Sequence, residues 1–69
     1  MGRNIRMIVR IMSANGGWMT IPEIRDAIYA QYGHPIPYNS IHSSLNNTGL
    51  AEHVQKNLGT KPQQYKFEG

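Results

Sequence analysis

Sixty-nine residues with seven Lys/Arg, four Asp/Glu, three His and no cysteine carry a formal charge of +3. A chain this short makes one small domain over residues 1–69, burying only about 60% of its unfolded surface, and without cysteine it has no disulfide, thiolate zinc site or cysteine nucleophile. No apolar run approaches the roughly 18 residues of a membrane span, and no signal-peptide stretch opens the chain, so a cytoplasmic protein with no membrane partner is expected.

Charge is unevenly placed along the chain. Arg3, Arg6 and Arg10 lie in the first twenty residues with no acid, residues 33–51 carry no charged side chain, and Glu52, Lys56, Lys61, Lys66 and Glu68 follow. From the N-terminus, Ile5, Ile8, Val9 and Met12 recur at i, i+3, i+4 and i+7, the spacing of an amphipathic helix. Met7 and Ile11 widen its apolar side, and Arg3, Arg6, Arg10 and Ser13 share the opposite face. Asn15-Gly16-Gly17 is expected to stop this helix after about residue 14.

Trp18-Met19-Thr20 then leads as a short strand into Thr20-Ile21-Pro22-Glu23, which has the form of a capping box with proline in the first turn. Ile21, Ile24, Ile28 and Tyr32 mark the buried face of this second helix, with Ala27 beside it. Gly33 ends it, and His34-Pro35 prevents its continuation. Ile36-Pro37 opens a third helix with Ile41, Leu45 and Thr48 inward and Asn39, His42, Ser43 and Asn46 outward. Gly49 is expected to stop it, with Leu50 folding back as the apolar contact of a Schellman-type cap. Residues 51–56 and 63–67 read as extended, the latter alternating Tyr65 and Phe67 against Gln64 and Lys66, around a turn-rich tip carrying Lys61. Trp18, Tyr65 and Phe67 are expected in the core between hairpin and helices, and Tyr38 is expected at the surface.

The order of these elements, with the amphipathic helix over 5–14, Trp18-Met19-Thr20 entering Ile21-Pro22-Glu23-Ile24, and Ile36-Pro37-Tyr38-Asn39-Ser40-Ile41 opening the third helix, resembles a winged helix-turn-helix domain. Leu45-Asn46-Asn47-Thr48-Gly49-Leu50 resembles the family's exit from the third helix. Lys61-Pro62-Gln63-Gln64-Tyr65-Lys66-Phe67 is similar to its returning strand. The resemblance implies an α+β fold: a three-helix winged helix-turn-helix with a C-terminal β-hairpin wing, in the order α-β-α-α-β-β.

It also implies double-stranded DNA as the partner, with the third helix in the major groove and the wing on backbone or minor groove. On that reading Asn39, Ser40, His42, Ser43 and Asn46 face base edges, where asparagine can pair bidentately with adenine. Tyr38, Arg3, Arg6, Lys56 and Lys61 would position the domain on phosphates. The role implied is a small transcriptional regulator or an accessory factor for recombination or replication, of the bare-domain kind found in phages and mobile elements. The third helix departs from the family's pattern in having no Arg or Lys. That departure favours the alternative of a winged helix that binds protein without DNA. One such module covers few base pairs, so a homodimer or a protein partner fits.

No chemistry competes with these readings. His34, His42 and His53 have no i, i+4 pair, so no metal centre is expected, and no cofactor. Asp26 is the sole aspartate, and no paired-carboxylate or phosphate-loop motif is present, so the chain is not expected to be an enzyme.

Overall fold

Residues 2–69 are described by a computed structural model. Its elements are α1 (Arg3–Asn15), β1 (Met19–Thr20), α2 (Ile21–Tyr32), α3 (Tyr38–Asn47), a 3-10 helix (Gly49–His53), β2 (Val54–Asn57) and β3 (Gln64–Phe67). The expected α+β architecture is observed in the expected order, three helices followed by an antiparallel hairpin, with the 3-10 segment inserted before β2. No helix among the described residues is long and apolar enough to cross a membrane.

The helix boundaries follow from local chemistry. α1 stops where Gly16 turns left-handed (φ 71°) and its N–H donates to the Met12 carbonyl at 3.1 Å. α2 ends the same way at Gly33 (φ 64°), whose N–H donates to the Tyr29 carbonyl at 2.8 Å. Both positions need the positive φ that glycine alone adopts without a Cβ clash. At its start, α2 forms the complete capping box. The Thr20 N–H donates to Glu23 Oε1 at 2.8 Å, and the Glu23 N–H donates to Thr20 Oγ1 at 3.3 Å. Thr20→Ala leaves one of these helix amides without its partner and is expected to cost about 1 kcal/mol. For a domain of this size, thermal unfolding should then shift down by about 4–8 °C.

α3 ends differently from the expected Schellman cap. Thr48 is extended (φ −124°, ψ 178°) rather than helical, and Gly49 has no left-handed φ. The Thr48 hydroxyl donates to the Ser44 carbonyl at 2.6 Å and accepts from the Leu50 N–H at 3.2 Å. A single side chain thus closes α3 and starts the 3-10 helix, so residues 51–53 are coiled where an extended segment is expected. Such hydroxyl bonds compete locally with the helix ladder. Ser44, not Thr48, takes the buried helical position beside Ile41 and Leu45, its hydroxyl satisfied by the Ser40 carbonyl at 2.9 Å.

The sheet has the order β1-β3-β2, antiparallel throughout. Tyr65 of the central strand lies opposite Met19 on one side and Lys56 on the other. Opposed residues of antiparallel strands share a face, so Met19, Tyr65 and Lys56 form one row on the side of the sheet turned to the helices. The expected alternation along β3 is observed: Tyr65 is buried, and Phe67 packs partly against the core. Trp18 departs from expectation and is 40% exposed. With Met19 pointing inward, strand periodicity turns the preceding residue out. The core is closed by Ile8 and Met12 of α1, Ile24 and Ile28 of α2, Ile41 and Leu45 of α3, and Tyr65 of the sheet.

Candidate functional site

α3 presents an uncharged, hydrogen-bonding face. Its spacing buries Ile41, Ser44 and Leu45 and leaves Tyr38, Asn39, His42 and Ser43 exposed, with Ser40 half-buried at the edge. The rings of Tyr38 (44% exposed) and His42 stack with centroids 6.5 Å apart and an interplanar angle of 16°. This i, i+4 stack fixes the flank of the first turn. Asn39 sits beside it, and none of the side-chain hydrogen bonds of α3 engages its amide.

Asn46 is placed less openly than the outward reading of the helix expects. It is half-buried, and its Nδ2 donates to the His42 carbonyl at 2.8 Å and lies 3.4 Å from Tyr65 Oη. The contact turns its amide toward the hairpin and leaves Oδ1 as its free group. Asn47, which the outward reading omitted, is exposed in the last turn, its Nδ2 within 3.5 Å of Ser43 Oγ. The helical period gave the signal for it, since residue 47 stands i+4 from Ser43.

The Asn46–Tyr65 contact joins α3 to the sheet, and the register carries the join outward. Tyr65 stands opposite Lys56 on the same face, and Lys56 is exposed on the edge strand β2. The hydrogen bond from Asn46 thus ties the end of α3 to the buried Tyr65 of β3, the strand to which the cationic edge strand β2 is paired. At the hairpin tip, Asn57 Oδ1 accepts from the Gly59 N–H at 3.1 Å, and the Thr60 hydroxyl donates to the Asn57 carbonyl at 3.3 Å. These bonds hold a turn from which Lys61 and Leu58 project. Leu58 is 79% exposed, the most exposed large apolar side chain among the described residues. Its only mark in the sequence is that an apolar residue interrupts a polar turn.

Arg3 and Arg6 lie elsewhere. With Arg10 they form an exposed stripe along α1, lining a cleft of ≈ 430 Å3 with Tyr32 and His34. The cleft includes no residue of α3 or the hairpin. Arg25–Asp26, at 3.3 Å and exposed, is the one ion pair among the described residues, so these arginines, Lys56 and Lys61 are all without acidic partners. No group of three or more His, Asp or Glu side chains among the described residues gathers to hold a metal ion. Comparison with family models, with curated proteins and with solved structures finds no match to this chain.

Proposed function

We propose that the chain binds double-stranded DNA as a winged helix-turn-helix protein, serving in the cytoplasm or nucleoid as a transcriptional regulator or as an accessory factor for recombination or replication. The observation that carries this reading is the exposed, uncharged amide-and-hydroxyl face of α3, with Lys56 and Lys61 of the hairpin exposed and free of acidic partners. Asn39 and Ser43 on the first two turns of α3 suit base edges, because the N-terminal turns of a recognition helix are those that reach them. Lys56 and Lys61 suit phosphates, which contribute affinity without sequence preference. Leu58 at the hairpin tip extends the list of contacts, since minor-groove binders often place an apolar side chain there.

A shift map of the 15N-labelled protein with a short duplex tests the assignment of faces. Shifts are expected in α3 and the hairpin; shifts confined to other elements contradict it. Lys61→Ala gives an independent check. It should weaken binding to all duplexes alike and reduce the slope of log affinity against log salt by about 0.9, the contribution of one phosphate. The absence of any charged side chain on α3 favours the second reading, a winged helix that grips a protein. On that reading neither the shift map nor the salt slope responds to DNA.

A further inference from the structure

We infer that the groove between α1 and the 3-10 helix is a two-fold interface through which two copies of this chain associate. The groove has a volume of ≈ 810 Å3 and contains no residue of α3 or of the hairpin tip. Its apolar surface comes from Ile5, Val9 and Phe67, which pack against the core yet remain half-exposed. Arg6 and Arg10 edge it on the α1 side, and Glu52, the one acidic side chain of the lining, edges it beside His53 on the 3-10 side.

Charge selects the occupant. Three of the four acids are engaged within the chain: Glu23 in the capping box, Asp26 with Arg25, and Glu68 with the Gln55 amide. Glu52 makes no such contact among the described residues, nor do Arg6 and Arg10 across the groove from it. In a two-fold interface each residue i meets residue j of the other copy and the reverse. A patch with cations on one wall and a carboxylate on the other is complementary to itself under that operation. Arg6 and Arg10 of each copy then face Glu52 of the other, while the two apolar strips meet across the axis. An acidic amphipathic helix from another protein would satisfy the arginines but set its own charge against Glu52. A second copy sets opposite charge against each wall. A core this small contributes only about 3–5 kcal/mol, and association is a common way for such domains to gain more. The inference does not depend on DNA binding, although a dimer would present two copies of α3.

Sedimentation equilibrium on the full chain, from about 1 μM to about 1 mM, tests it. A reversible monomer–dimer equilibrium is expected. Glu52→Arg, at an exposed position the fold tolerates, should raise the dissociation constant about tenfold or more by opposing like charges, as should Val9→Glu. Combining Glu52→Arg with Arg6→Glu and Arg10→Glu should restore the dimer to within about threefold of the wild type, because the charges of both walls are exchanged rather than lost. A chain that stays monomeric at about 1 mM overturns the inference and leaves the groove to a heterologous occupant. So does a dimer whose strength ignores Glu52→Arg, or one that the combined exchange fails to restore.

Discussion

Leu45→Ala is expected to leave the protein largely unfolded at room temperature. Leu45 is fully buried in the middle of α3, in the one core that the three helices and the sheet share. Truncating a leucine in such a site removes its transfer free energy and leaves a cavity, at a cost of about 2–5 kcal/mol. A domain of this size holds only about 3–5 kcal/mol in total, so the two quantities nearly cancel. Urea unfolding followed by far-UV circular dichroism should show a wild-type transition with a clear native baseline, and a variant without one. Ser43→Ala, on the exposed side of the same helix, should stay within about 0.5 kcal/mol of the wild type. A Leu45→Ala protein that retains a full native baseline contradicts the packing described.

Asn39→Ala should lower the preference of the protein for its best site without changing its background affinity for DNA. Asn39 is exposed in the first turn of α3, and its amide is not engaged by the side-chain hydrogen bonds of that helix. A bidentate pair with adenine contributes about 1–3 kcal/mol of discrimination, or roughly 5- to 150-fold. The site would come from selection among random duplexes, and competition against unselected DNA reads the ratio. Loss of affinity on selected and unselected duplexes alike would mark Asn39 as a phosphate contact, and no loss on either would remove it from the interface. Asn46→Ala should behave differently. Its Nδ2 is held by the His42 carbonyl and lies close to Tyr65 Oη, so the main loss is about 1 kcal/mol of stability, with a smaller effect on discrimination.

The helices were legible because their signals are local. The i, i+3, i+4, i+7 run from Ile5, the Thr20-to-Glu23 box, and Gly16 and Gly33 each specify a boundary through contacts within a few residues. The hairpin was legible through the alternation of β3. The misplaced features depended on competition between near-equal local options. Thr48 can occupy an inward helical position or use its hydroxyl to close the helix, and only packing of Ser44 and Leu50 decides for the second. Trp18 is the most apolar-looking residue of its segment, yet the pairing of Met19 with Tyr65 determines which of the two neighbours faces in. At the site, periodicity identified Asn39, His42 and Ser43 as outward, but it left out the exposed Asn47 and did not show Asn46 turning half inward to Tyr65. The join of α3 to the hairpin could not be read that way, because it rests on the register that sets Lys56 opposite Tyr65 and on a hydrogen bond spanning 19 residues. Likewise, the groove flanked by Arg10 and Glu52 brings together residues that sequence separation gives no reason to pair.

The proposal that this chain binds DNA is tested most directly by titrating a labelled random duplex at two salt concentrations. Contacts from Lys56, Lys61 and up to two further cations neutralise about two to four phosphates, which predicts affinity falling about 10- to 150-fold between about 50 mM and about 200 mM salt. Absence of binding at the lower salt, or a dissociation constant unchanged between the two, would contradict it.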